Sequence, residues 1–513
     1  MQQRRVAGNG AAALRPRSIA PHRAETRETT RRQGLFGVHG KHSLLREYLC
    51  WAKHMRDLEI SDQQLSALAE EALGLAKAYW ASLDQRPSYP STSGEKTVEL
   101  FARQWPEEGR GAEVLGDFNA IAEHARPSTG RFFGYVAGSG EPVGALGDLL
   151  ASVLNQNVTA WRSAPAAVSI ERAVVGWLAD AVGCAGFTGS LCGGGSAANL
   201  MALAMAREEK SPANETGARP CVVYASEQAH MSIPKAVALL GIGRQNLRLL
   251  PVDSDLRMRT DSLEVAIAED QKAGRMPIAI VATVGTVATG AIDPLREIAA
   301  IARRYGLWLH VDGAYGVLAA LAAPQKFQGL SSADSLSLDA HKWLYQPIDC
   351  GCLLYRNRDI ARKTFSHSGD YVRTFNEGPV ETFAFFEESM ELSRRFRALK
   401  LWMSLQYHGR RAFREAIERD LGHARMLAEM VSAHPELELL APVPLSAVCF
   451  RHRQKDNEAI LRRVIARGRV YLSNATIDGR FALRACFVNH RTRTEDVRAI
   501  VSEVITAADE LNR

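Results

Sequence analysis

The strongest constraint on this chain is a change of texture between about residues 140 and 355, where short apolar runs alternate with helical stretches. Cys221-Val-Val-Tyr-Ala225, Ile278-Ala-Ile-Val-Ala-Thr283, Leu307-Trp-Leu-His-Val-Asp312 and Ser335-Leu-Ser-Leu-Asp339 are each β-compatible, and segments such as Pro294–Tyr305 intervene. Near-continuous apolar strands are what a sheet covered on both faces requires, and strand–helix alternation supplies the cover. The expected fold is α/β, with a mostly parallel central sheet spanning a large domain at 140–393.

The flanks read differently. Residues 55–139 form a helical N-terminal segment, with a helix-like stretch at Leu58–Trp80 and a loop at Arg86–Gly94. Residues 394–513 form a smaller α+β unit, entered by a helical stretch Arg394–Arg425 that Gly409 and Gly422 are expected to interrupt. Its expected strands are Ser446–Arg451 and Phe481–Val488, and Glu495–Leu511 is its closing helix.

The formal charge of +6 suggests nucleic acid only until it is located. Residues 1–40 hold eight arginines against Glu25 and Glu28, which accounts for the whole excess. The basicity thus belongs to residues 1–54, read as a disordered tail or a misassigned start ahead of Met55, and the expectation is no nucleic-acid partner. No apolar run is long enough to span a bilayer, so no membrane partner is expected. Eight scattered cysteines without a C-x-x-C pair argue against a disulfide framework or a metal site, and point to a reducing, cytoplasmic location.

In open parallel sheets ligands bind beyond the carboxyl ends of the strands. Here those ends carry His230, Thr283, Asp312 and Lys342, each of which alone has an ordinary reading. A lysine usually covers apolar surface with its stem, an aspartate often caps a helix, and a loop histidine is usually packed or solvated. Together on one rim they suggest a nucleophilic lysine and an acid placed to pair with a pyridinium nitrogen. Gly189-Ser-Leu-Cys-Gly-Gly-Gly-Ser-Ala-Ala-Asn199 precedes a helix. It lacks both the nucleoside-triphosphate ending and the dinucleotide spacing, and suits a single phosphate.

The ordered set Gly195-Ser196…Asn199, Ser226-Glu-Gln-Ala-His230, Thr283-Val-Gly-Thr286, His310-Val-Asp312-Gly-Ala-Tyr315 and Asp339-Ala-His341-Lys342-Trp343 resembles the group II pyridoxal-phosphate decarboxylases. It is most similar to the aromatic-L-amino-acid decarboxylases and their bacterial relatives, from about residue 55 to the C-terminus. The resemblance implies a fold-type I, aminotransferase-like architecture with pyridoxal phosphate joined to Lys342. Asp312 would pair with the pyridine nitrogen and His230 would stack on the ring. Thr283 and Ala314 would line its other side and edge, and Gly195, Ser196 and His341 would hold the phosphate. Tyr371 matches a loop tyrosine that protonates the substrate carbon, and the loop's reach into a neighbouring subunit implies a homodimer. Tyr135, Trp161 and Ser393 match positions near the substrate pocket and lean towards an aromatic L-amino acid.

An aldehyde synthase, or a decarboxylase of an aliphatic or acidic amino acid such as glutamate, is the alternative. Tyr371 and His230 both favour simple decarboxylation over the synthase. Asp339 stands where animal members carry Asn, which would set a second negative charge beside a phosphate.

Overall fold

The computed structural model describes residues 58–367 and 378–511. The chain divides between Ala69 and Glu70 into two units, and everything that positions the site belongs to the second.

Helices α1 (Asp62–Ser82), α2 (Gly94–Phe101) and α3 (Asp117–His124) occupy the N-terminal region, followed by α4 (Pro142–Leu154) and α5 (Pro165–Ala181). Both of the last two begin with proline at the first helical position, where its missing N–H costs nothing. Glu141 caps α4 by accepting from the amides of Val143 and Gly144.

The large domain then alternates as expected. In order come β1 (Thr188–Cys192), α6 (Gly195–Lys210), β2 (Val222–Ser226), α7 (Ser232–Leu239), β3 (Leu247–Leu250) and α8 (Thr260–Lys272). After them come β4 (Pro277–Thr283), α9 (Leu295–Tyr305), β5 (Trp308–Asp312), β6 (Ser335–Asp339), a helical turn Ala340–Trp343, β7 (Gly351–Tyr355) and α10 (Arg358–Phe365). The seven strands are ordered β1-β7-β6-β5-β4-β2-β3. Only β7 runs against the rest, pairing antiparallel with β1 and β6. All residues of β2, β5, β6 and β7 are buried, so β2 and β7 are largely apolar and the polar side chains of β5 and β6 must find partners inside. Helix α9 shows the complementary pattern: it buries Leu295, Ile298, Ala299, Ile301 and Ala302 and stops at Gly306 in the left-handed conformation.

The C-terminal part contains α11 (Arg397–Ala433), β8 (Leu437–Leu439), β9 (Ala447–His452), α12 (Asn457–Arg467), β10 (Ser473–Ile477), β11 (Arg480–Cys486) and α13 (Thr494–Glu510). Its antiparallel sheet is ordered β10-β11-β9-β8. Ala398, Leu399 and Leu401 of α11 join the core of the large domain, while Ala424, Leu427 and Val431 join that of the small one. The helix, which lies wholly beyond residue 394, therefore packs on both cores.

One expectation about this helix needs correction. Gly409 does break its regularity, with φ 74° and ψ 158°, but Gly422 lies in continuous helix and α11 runs on to Ala433. A glycine inside a helix weakens it without ending it when flanking turns are packed.

Candidate active site

The carboxyl ends of β1, β2, β4, β5 and β6 open onto one cavity of about 450 Å³. Its wall includes Tyr135, Gly195, Ser196, His230, Thr283, Asp312, Ala314, His341 and Lys342. Nine of the twelve residues singled out from the sequence thus share one space. Trp161 does not line it; its amide bonds to the Phe383 carbonyl at 3.0 Å and its ring packs on the large-domain core. Ser393 is exposed and away from this wall, immediately before the buried Arg394. Tyr371 lies outside the described residues.

Lys342 sits on the helical turn that follows β6, between half-buried His341 and fully buried Trp343. Gly138 presses on this turn from behind: a Cβ there would stand 2.0 Å from the His341 carbonyl oxygen. The Lys342 Nζ lies 2.9 Å from Asp339 Oδ2, and His341 Nε2 is 3.6 Å from the same oxygen. Asp339 is therefore turned towards the Lys342 amine, with His341, whose imidazole burial keeps towards the neutral form, beside it; this offsets the repulsion expected of a second negative charge at this position.

At the glycine-rich end, Gly194 has φ 129° and opens the backbone where β1 meets the 16-residue helix α6. A Cβ on Gly195 would come within 2.6 Å of the Ala314 Cβ, so the wall there has room only for bare backbone. The first amides of a long helix, a serine hydroxyl and His341 on one face form a cradle for a single anion.

The opposite end is organised around Asp312, last residue of β5 and 5% exposed. Its carboxylate accepts from Asn199 Nδ2 at 2.9 Å, from Ser337 Oγ at 3.2 Å and from the Ala314 amide at 3.2 Å. Asn199 also donates to Ser232 Oγ at 2.9 Å, and its carbonyl lies 2.9 Å from His310 Nε2. Farther out, Ser335 Oγ lies 2.9 Å from His310 Nδ1 and accepts from Trp308 Nε1 at 2.9 Å. These bonds fix every proton along the chain. Trp308 donates to Ser335, Ser335 to the unprotonated Nδ1 of a neutral His310, and His310 Nε2–H to Asn199. Burial pushes the His310 imidazole down to about 4, which keeps that arrangement at neutral pH.

His230 ends the same network. Its Nδ1 accepts from the Ser232 amide at 3.2 Å and lies 2.8 Å from Ser232 Oγ. The neutral ring therefore carries its proton on Nε2. Burial lowers its pKa, opposed by Asp312 and helped by Lys342, so the neutral form dominates at neutral pH.

Four positions escaped the sequence reading. Asn199 and His310 were visible only as parts of motifs, and Ser335 only as a member of a β-compatible run. The overlooked signal was their polarity. A polar side chain inside a fully buried strand must find a partner, and these find one another. Tyr471, also missed, stacks on Phe132 at 4.6 Å, and its hydroxyl lies 3.3 Å from that of Tyr135 at the cavity wall.

The description "Pyridoxal-dependent decarboxylase conserved domain" matches residues 97–453. The chain belongs to the pyridoxal-dependent decarboxylase family.

Relatives agree over nearly the whole length. An aromatic-L-amino-acid decarboxylase of Bacillus atrophaeus is 33% identical, over 89% of this chain and 98% of that one. A 4-hydroxyphenylacetaldehyde synthase of Rhodiola rosea is 30% identical, over 85% and 93%. Among solved structures, Oryza sativa TDC with PLP and tryptamine superposes with a TM-score of 0.83 at 25% identity, covering 89% of this chain and all of that one. The chain is a pyridoxal-phosphate-dependent amino-acid decarboxylase with the fold-type I architecture.

The cavity fits that cofactor on its own terms. Thr283 Oγ1 and Asp339 Oδ1 are buried on its wall without a hydrogen-bond partner among the described residues. The amine of Lys342, the glycine cradle and the Asp312 carboxylate sit at separate points around it, matching an aldehyde, a phosphate and a ring nitrogen.

Proposed function

We propose that this decarboxylase acts on an aromatic L-amino acid, releasing CO2 and the corresponding amine. The observation that carries the reading is the convergence of Lys342, Asp312 and His230 on one cavity with Tyr135 in its wall. Tyr135 lines the cavity, and its ring packs against Phe132 and Tyr471, on which Tyr89 stacks at 5.1 Å. A flat ring is well held by such a wall through offset and edge contacts. The names of the relatives point the same way.

When bound, pyridoxal phosphate supplies an aldehyde that links to amines and a ring that accepts the electron pair left by departing CO2. This chain's residues do the rest. Lys342 would hold the cofactor through its amine, at the point where a substrate amine would take its place. Asp312, fixed by three donors, keeps a proton on the ring nitrogen. Gly195, Ser196 and His341 anchor the phosphate, while Thr283 and Ala314 bound the ring. His230 would stack on the ring, and Tyr371 would return a proton to the substrate α-carbon. Tyr135 contacts the substrate ring.

The enzyme works as a homodimer. Leu146, Leu149, Leu150, Val153 and Leu154 of α4 fall at spacings of three and four residues and are all exposed, between 39% and 73%. An apolar stripe of that length suits a second copy of the same chain. A cytoplasmic location goes with this reading; no described helix is long and apolar enough to cross a membrane.

The test is turnover with tyrosine, DOPA, tryptophan, phenylalanine and glutamate, measuring CO2, amine, ammonia and peroxide together. Amine equal to CO2 with an aromatic substrate is the expected result. Ammonia and peroxide in step with CO2 would make the enzyme an aldehyde synthase. Turnover of glutamate alone would overturn the aromatic reading.

A further inference from the structure

A second cavity, of about 600 Å³, lies apart from the cofactor site, between the end of α1, the middle of α11 and the loop before α13. The loop is a built feature. Asn489 Nδ2 donates to the Thr129 carbonyl at 2.7 Å, Thr492 Oγ1 to the Gly130 carbonyl at 2.8 Å, and the Arg491 amide to Asn489 Oδ1 at 3.0 Å. With both polar anchors buried, the backbone holds Arg491 against the cavity.

The donors around this space outnumber the acceptors. Arg419, Arg491 and Arg493 line it, together with His423, His490 and the first residues of the 17-residue helix α13. Arg493 is paired with Asp84 at 3.0 Å. Arg419 reaches only the His490 carbonyl at 3.3 Å, and neither it nor Arg491 has an ion pair among the described residues. Arg491 Nε and Nη2 are buried without a hydrogen-bond partner. His423, 6% exposed, likewise leaves Nδ1 without one. Glu495 is the other carboxylate of the lining, and it is exposed. Orphaned buried donors are uncommon in native proteins, and a guanidinium is the costliest kind to leave so.

Uncompensated positive potential also marks the neighbouring imidazoles. Burial, followed by Arg491 and Arg419, pushes His490 down to about 3. Burial and then Arg419 push His423 down as well.

We propose that this cavity is a binding site for a phosphate group, free or carried by a small organic molecule, with Arg491, Arg419 and His423 as its donors. Two guanidinium forks and the positive end of a helix suit a tetrahedral oxyanion better than a single carboxylate. The site also connects to the catalytic one. His490 Nδ1 lies 2.6 Å from Ser139 Oγ, and Ser139 follows the Gly138 that presses on the turn bearing Lys342.

The test is calorimetric titration of inorganic phosphate into the enzyme saturated with pyridoxal phosphate, so that the cofactor's own cradle is filled, at ionic strength held constant with KCl. Saturable binding of one phosphate per chain is expected, weakened at least tenfold by Arg491→Gln. Should that variant not fold, Arg419→Gln, a substitution at an exposed side chain, carries the same expectation. Glycerol phosphate binding more tightly than phosphate assigns an organic ligand; weaker binding assigns the free ion. No saturable binding, or binding equal in wild type and both variants, overturns the proposal. Because the comparison is between arginine variants away from Lys342, it is decided even if the cofactor reading should fail.

Discussion

Asn199 has no acid–base chemistry, yet it joins the residues that do. One amide group gives a donor to Asp312 and a donor to Ser232, and takes one from His310. Replacing it with leucine leaves the Asp312 carboxylate short of a partner and the buried His310 Nε2–H without an acceptor. Asn199→Leu should lower kcat by roughly 10–100-fold, the range seen when a partner orienting a site ligand is removed, with KM within a few-fold of wild type. Steady-state kinetics per bound cofactor check this, since a variant that merely unfolds would lose cofactor and kcat together. That Lys342, Asp312 and His230 would meet on one rim was legible in the sequence because each ends or follows a β-compatible run. Asn199 and His310 were not, because their meaning lies in a contact across 111 residues that only the folded sheet creates.

Among the elements, α11 and the Lys342 turn depend on glycines that do different things. Gly409 adopts φ 74° and ψ 158°, a region closed to side chains, while Gly422 is helical and a Cβ there would meet nothing within 4 Å. Gly422→Ala should stabilise the enzyme by about 1 kcal/mol, the helix-propensity difference. Gly409→Ala should destabilise it by ~1–3 kcal/mol through backbone strain. Gly138→Ala drives a methyl into the His341 and Lys342 carbonyls, at 2.0 and 2.7 Å, and should cost ~1–3 kcal/mol. Urea midpoints of the three variants would show one gain and two losses. Sequence patterning located the strands at 222–226, 277–283, 308–312 and 335–339 to within a residue or so, because short apolar or alternating β-compatible runs have sharp ends. It mistook Gly422 for a break because the burial of Asp420, His423 and Ala424 that holds the helix together is tertiary.

For the molecule as a whole, assembly and pH response follow from groups the sequence left silent. If the α4 stripe is the dimer face, Leu150→Asp should shift the enzyme towards monomer in light scattering while leaving its circular dichroism unchanged. A dimer that survives would place the interface elsewhere. Stability against pH should depend on Asp420 of α11, which is fully buried. Its Oδ2 accepts from the Tyr345 hydroxyl at 2.8 Å, while Oδ1 has no partner among the described residues. Burial raises its carboxyl from 3.8 to about 7. Because the folded value is the higher one, the folded state holds the proton where the unfolded chain has released it. The resulting stabilisation is complete below about pH 4 and is lost as pH rises to 7. Asn at this position keeps an acceptor for Tyr345 and cannot ionise. The stability of Asp420→Asn relative to wild type should therefore climb between pH 4 and 7 and level off above, by roughly 4 kcal/mol at about 1.4 kcal/mol per unit. Urea titrations at pH 4.5, 6 and 7.5 measure this difference. A constant difference would mean that Asp420 shares its charge with a partner and that the long helix packs on both cores without a buried proton.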